Sequence, residues 1–178
     1  MRFTTKELAL IILFSALGAV VSVPVGYLGD FLKTIPILPL GTGQILSGIH
    51  ISSLALTVLF IKKQGVGTMT GAVKGLVEVV LFSFHGIPVI LMSVIQGLCI
   101  DIMVSLWGKR DSALYLGCGL ASLSNVVYLQ FFIQLPFPPS VFALMYILSI
   151  ISGVLFGGYG GLLLYKLVGT RISLLELE

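Results

Sequence analysis

The sequence predicts an all-α integral membrane protein, a bundle of six transmembrane helices with both N- and C-termini in the cytoplasm. Three observations carry this fold class. The 178 residues are 57% hydrophobic and only 10% charged, with a mean hydropathy of +1.14, whereas a soluble domain carries about a quarter charged residues. The apolar runs approach the ~20 residues needed to cross roughly 30 Å of hydrocarbon, and Pro, Gly and Lys/Arg breaks separate them. The basic residues fall almost wholly on one side if those runs alternate across a bilayer. About six spans with short loops use up the length, so residues 1–178 read as a single transmembrane domain.

Segment one runs from Glu7 to Val23 and stops at Pro24, which cannot donate a helical hydrogen bond. Its apolar run exceeds the core of a secretory signal, so it reads as a retained helix. The connection from Pro24 to Gly43 holds Tyr27, Asp30, Phe31, Pro36 and Pro39. It is read either as a lid over an outward-facing pocket or as a connector lying on the membrane surface. Segment two covers Leu40 to Ile61 and ends at Lys62-Lys63-Gln64-Gly65. Segment three covers Gly67 to Phe84, segment four Ile87 to Trp107, and segment five Ala113 to Leu135. His85-Gly86-Ile87-Pro88, Gly108-Lys109-Arg110-Asp111 and Pro136-Phe137-Pro138-Pro139 mark the breaks. Segment six, Ser140 to Val168, is long enough to tilt or to emerge at its end.

In this order Arg2, Lys6, Lys62, Lys63, Lys109, Arg110, Lys166 and Arg171 share one side, which is therefore the cytoplasm. Lys33 falls opposite, and Lys74 is the basic residue left inside a span. The net charge of +3 is thus a topology signal, not a nucleic-acid patch. Cys99 and Cys118 lie in apolar segments without ligand-spaced partners and read as packing residues, with no metal site expected.

Ionisable groups inside a span are costly unless paired or hydrated, so each is a candidate functional residue. Lys74 and Glu78 are four apart on one face of segment three, and Phe82 and His85 continue that stripe. Two readings stay open: a self-neutralising ion pair that lets the helix insert, or a face that contacts substrate. On segment four Gln96 and Asp101 lie about 140° apart and serve different neighbours; Asp101 is nearer the cytoplasm and is as readily structural. Asn125, Tyr128 and Phe132 share a face of segment five, and segment two adds His50, with Gln44 nearer its outer end. Together these polar groups suggest an outward-open small-molecule pocket lined by Glu78, Gln96, Lys74, His50, Asn125 and Tyr128, although a lone Asn or Gln is often only glue between helices.

Small residues four apart, Ser15 with Ala19 and Gly18 with Ser22, let another helix approach segment one closely, either within the chain or from a separate subunit. Glycines at 153, 157, 158, 160 and 161 favour tight packing of segment six. The motifs of zinc proteases, serine hydrolases and phosphate-binding loops are missing, so no enzyme and no cofactor are expected. Any ATP-driven role needs a partner to supply the nucleotide site.

Leu40-Gly41, Ser47-Gly48-Ile49, Ile61-Lys62-Lys63-Gln64-Gly65, Leu76-Val77-Glu78-Val79-Val80-Leu81, Gln96-Gly97-Leu98 with Asp101, Val127-Tyr128 and Phe131-Phe132 carry a family likeness. On these residues the chain resembles the substrate-binding, or S, components of energy-coupling factor (ECF) transporters. The nearest branch is the one linked to thiamine and its hydroxymethylpyrimidine precursor. The resemblance covers most of the chain. It implies six helices in the plasma membrane, a vitamin pocket under the first loop with Glu78 and Gln96 among its residues, and docking on a membrane coupling subunit bound to two ATPases. It also implies that Ser15, Gly18, Ala19 and Ser22 serve that docking. A site for cationic thiamine wants carboxylate and aromatic faces, which Lys74 opposes, so another vitamin or precursor with an anionic group stays open. The metal branch of the family carries histidine directly after the initiator methionine, where this chain has Arg2.

Two other classes compete. One is a self-sufficient secondary carrier in which Lys74, Glu78 and Asp101 relay protons. The other is a membrane-embedded enzyme or assembly factor, which lacks a catalytic constellation here.

Overall fold

Thr4 and Glu7 open the first helix by exchanging hydrogen bonds: Thr4 N donates to Glu7 Oε2 at 2.8 Å and Glu7 N to Thr4 Oγ1 at 3.4 Å. This reciprocal cap occupies two amides that a helix start leaves unpaired. The structure, a computed structural model, describes the backbone of residues 3–33, 42–81, 86, 88–108 and 110–175, and their side chains except at 33, 42 and 171–175. Of the connection expected from Pro24 to Gly43, the part up to Lys33 is helix, while residues 34–41 lie outside the described residues, as do the stripe residues Phe82 and His85, and Arg2 and Lys109.

Helix α1 (Thr5–Lys33) passes straight through Pro24, which corrects the expected end at Val23. Proline forfeits one helical bond, but in hydrocarbon the remaining backbone groups have no water to turn to, so helix continues on the far side. Helix α2 (Thr42–Ile61) ends at Lys62, whose φ of 54° reverses the chain, and Gly65 at φ 83° starts the next turn. Helix α3 (Val66–Val80) follows, then α4 (Pro88–Trp107) and α5 (Asp111–Phe131). The expected extension of segment five to Leu135 is also corrected: Gln134 adopts φ 54° and the prolines that follow cannot continue a helix. The last rod is α6 (Pro139–Ser152), a π-helical stretch (Gly153–Tyr159) and α7 (Gly160–Leu175) in unbroken succession.

Five of these segments are long and apolar enough to cross a membrane: Thr5–Leu32, Gly43–Ile61, Pro88–Trp107, Asp111–Phe131 and Pro139–Thr170. The sixth, α3, has 15 residues and spans about 22 Å at 1.5 Å per residue, less than the roughly 30 Å of a bilayer core. Leu17, Val20, Leu91, Ile102, Leu144 and Ile147 point their large apolar side chains outward, an arrangement suited to lipid and costly in water.

Helix α2 is the axis of the bundle, touching every other helix. Ile51, Leu54 and Val58 from α2 meet Ile11 of α1, Val66 of α3, Ile100 of α4 and Cys118 of α5 in the main core. Helices α3 and α4 pack closely through Gly67, Gly71 and Gly75. A Cβ at Gly67 would lie 2.7 Å from the Gly97 carbonyl oxygen and one at Gly75 2.6 Å from Ile90 Cα, while one at Gly71 would collide with the Ser93 carbonyl. Backbones approach this closely only where the side chain is a hydrogen. The π-helical stretch lies where Gly153 and Gly157 pack on Cys118 of α5, and Gly157 also on Ile51 of α2.

Candidate functional site

The inward face of α3 repeats every turn as Val66, Thr70, Lys74 and Glu78, all buried. Thr70 is committed to packing: its hydroxyl donates to Val66 O and its carbonyl accepts Ser15 Oγ from α1 at 3.0 Å. One turn on, Lys74 is 1% exposed and Glu78 6%, with Lys74 Nζ 2.6 Å from Glu78 Oε1. The spacing of four makes the pair possible, and burial makes it obligatory, since either charge alone would be uncompensated. The second carboxylate oxygen is weakly held, with Ser93 Oγ of α4 donating at 3.4 Å. Gln96 lies one turn further along α4, 9% exposed.

From α2, Ser53 Oγ is buried without a hydrogen-bond partner. It sits beside Gly18 of α1, where an added Cβ would collide with it and would lie 3.3 Å from Lys74 Cε. Ser53 and Lys74 are thus neighbours across the Gly18 gap. His50, one turn toward the start of α2, pairs through Nδ1 with Ser22 Oγ of α1 at 2.8 Å. Lys74, Glu78, Ser93, Ser53 and Gly18 therefore gather where α1, α2, α3 and α4 meet, with Gln96 and His50 on the adjoining turns.

The other candidates are placed elsewhere. Asn125 is half-buried one turn beyond Ser122 on α5, and Ser122 belongs to a group of hydroxyls where α2, α5 and α6 meet. There Ser47 Oγ and Ser122 Oγ are 2.5 Å apart, Ser149 Oγ donates to Ser122 at 3.0 Å, and the Ser152 hydroxyl joins Gly48 N at 2.9 Å. Tyr128 stacks on Phe132 with ring centroids 5.4 Å apart and lines an apolar groove of about 250 Å³ between α4 and α5. A second groove, about 330 Å³, lies at the α3 start between Gln64, Thr68 and Ser105. Neither groove contains Lys74 or Glu78.

Asp101 has a structural task. Its Oδ1 accepts Gly67 N at 2.9 Å, and Oδ2 accepts Thr68 N at 2.7 Å and Thr68 Oγ1 at 2.6 Å. It thereby caps α3 from the neighbouring helix, where amides are unpaired and a negative charge is favoured.

The small residues of α1 all point into the chain itself. Ser15 and Ala19 are wholly buried, Gly18 faces Ser53, and Ser22 holds His50. What covers this stripe is the chain's own α2 and α3. Ser53, Ser93 and the hydroxyl chain went unnoticed in the sequence because single serines are common in membrane helices; Ser93 three before Gln96 and Ser122 three before Asn125 were the available signal. Among the described residues no three His, Cys, Asp or Glu side chains come together as metal ligands.

A family model described as "ABC-type cobalt transport system, permease component" matches residues 6–127, more than half of the chain. The chain belongs to that family. The match takes in α1 to α4 and most of α5, so the Lys74–Glu78 pair and all its neighbours lie within the family's own region. The membrane-transport class expected from the sequence stands, while the family's description names cobalt and not the thiamine branch. No curated protein matches. Among solved structures, one described as "Crystal structure of an S-component of ECF transporter" superposes with a TM-score of 0.86 at 21% identity, covering 96% of this chain and 87% of that one. At that identity the likeness is one of fold.

Proposed function

We propose that the chain is the substrate-binding subunit of an ECF-type transporter in the plasma membrane, with both termini cytoplasmic, taking up a vitamin or vitamin precursor from outside the cell. Thiamine and hydroxymethylpyrimidine lead the candidates. The observation that carries this reading is the buried Lys74–Glu78 pair, half-satisfied at Glu78 Oε2, in the middle of a bundle with an S-component fold. Ionisable side chains inside a membrane protein are rare and costly, and they mark substrate or ion paths. Glu78, Lys74 and Gln96 are the proposed ligand contacts, with His50 beside them; Asn125 and Tyr128, placed on α5 away from the pair, are not among them. Energy comes from a membrane coupling subunit and two ATPases. Ser15, Gly18, Ala19 and Ser22 serve that docking indirectly, by setting how α1 lies on α2 and α3.

The family description supports a second reading, cobalt as the cargo. A proton-coupled carrier has less support, because Asp101, one of its three proposed relay groups, has both oxygens engaged by the start of α3. Uptake by cells expressing the chain with and without a coupling subunit and ATPases separates the three. Uptake of labelled thiamine or hydroxymethylpyrimidine only with the partners supports the proposal. Uptake of cobalt with the partners would support the second reading, and gradient-driven uptake by the chain alone would support the carrier.

A further inference from the structure

We infer that Lys74 sets the charge of the molecule this site takes, admitting uncharged ligands that present a donor beside an acceptor and rejecting cations, whether a divalent metal or a fixed organic cation. The inference rests on the reading above for the location of the site and narrows its two leading candidates to hydroxymethylpyrimidine, because thiamine carries a permanent cation.

Three observations lead here. First, the buried charged side chains among the described residues are Lys74, Glu78 and Asp101, and Asp101 is consumed by the α3 start. The charge facing a ligand is therefore that of the Lys74–Glu78 pair, which sums to zero, and His50 beside it is engaged by Ser22. Second, Glu78 stands in the last turn of α3, where unpaired carbonyls make a helix end unfavourable for an anion. Lys74 before Glu78 is also the weaker order for a helical ion pair. The ammonium lies 2.6 Å from the carboxylate, and any entering cation meets that ammonium at close range in a medium that screens poorly. Third, the unfilled positions are complementary and neutral. Glu78 Oε2 has only the 3.4 Å contact from Ser93 and can accept another donor. Lys74 Nζ, with three protons, spends one on Glu78, and Ser53 Oγ has no partner. An amino group next to a ring nitrogen answers both an acceptor and a donor without bringing charge.

Hydroxymethylpyrimidine, thiamine and cobalt chloride make the test, titrated into the detergent-purified full chain. The first two share an aminopyrimidine, and thiamine adds a permanent cation. Wild-type protein and Lys74→Arg are expected to favour hydroxymethylpyrimidine over thiamine by at least about tenfold and to bind no cobalt. Lys74→Met should reverse that preference by about tenfold or more, because Glu78 then lacks its cation. Since Lys74→Met leaves an uncompensated carboxylate and can fail to fold, the double variant Lys74→Met/Glu78→Gln removes both charges; its preference for hydroxymethylpyrimidine should fall by about fivefold or more from the wild-type ratio. The size difference between the probes is common to every variant, so the change in ratio reports charge. Wild-type binding of thiamine or cobalt as tight as that of hydroxymethylpyrimidine overturns the inference, and so does an unchanged ratio in the double variant, while the transport reading survives both. If the wild type binds neither pyrimidine, thiamine binding gained by Lys74→Met upholds the charge filter and removes the vitamin reading; no gain there overturns the inference itself.

Discussion

Asp101 of α4 accepts both the backbone amide and the hydroxyl of Thr68, at 2.7 and 2.6 Å, and so fixes the start of α3 to its neighbour. The inner face of α3 carries Lys74 and Glu78, so this bond sets the height at which the buried pair sits.

Replacing Asp101 by Ala should therefore destabilise the protein by roughly 2 to 4 kcal/mol, since three donors lose a charged acceptor. Thermal unfolding in detergent measures this. Ligand preference should be unaltered in whatever fraction remains folded, and a proton-relay role would instead abolish gradient-driven uptake with stability intact.

Glu78→Ala should weaken binding of the retained ligand by on the order of 2 to 4 kcal/mol, because it removes the acceptor and strands Lys74. Calorimetric titration checks this. Unchanged affinity would reduce the pair to a device for inserting α3.

Gly71→Leu should prevent α3 from seating on α4, as even a Cβ there would collide with the Ser93 carbonyl; overpacking costs about 1 to 3 kcal/mol even where a core yields. Gly18→Leu should fail similarly, against Ser53 and Lys74, and ligand binding should fall with it. Gly43→Ala, with nothing within 4 Å of the added carbon, should be silent. Size-exclusion profiles of the variants give the comparison, and a monodisperse, ligand-binding Gly18→Leu protein would mean that α1 packs differently.

Much of this was legible in the sequence, for physical reasons that also mark where legibility stops. Apolar runs reported the helices, and the four-residue spacing of Lys74 and Glu78 reported their contact. Pro24 misled, because in hydrocarbon the cost of one lost helical bond is smaller than that of leaving many groups unpaired. Small residues showed that helices come close but not which ones: the stripe at Ser15 and Ala19 is filled from within the chain, and equally close approaches occur at Gly71 against α4 and at Gly48 against Ser152. Asn125 and Tyr128 share a helix face at sequence level, yet Asn125 follows Ser122 along α5 while Tyr128 turns into the α4 and α5 groove. Which neighbour a face meets is a tertiary fact that periodicity does not contain.

Single cysteines at Gln64 or Asp111 should react only with reagent on the cytoplasmic side, and those at Asp30 or Ser140 only from outside, as the distribution of Lys and Arg requires. The opposite pattern would invert the topology and place the opening of the site toward the cytoplasm.

Native mass spectrometry of the detergent-purified protein tests the central claim most directly, by weighing what the bundle retains. The expected result is one uncharged organic molecule of vitamin size per chain, present on the wild type and lost from Glu78→Ala. A retained cobalt ion, or an organic molecule held equally well by Glu78→Ala, would contradict the assignment of the Lys74–Glu78 pair as the place where substrate is bound.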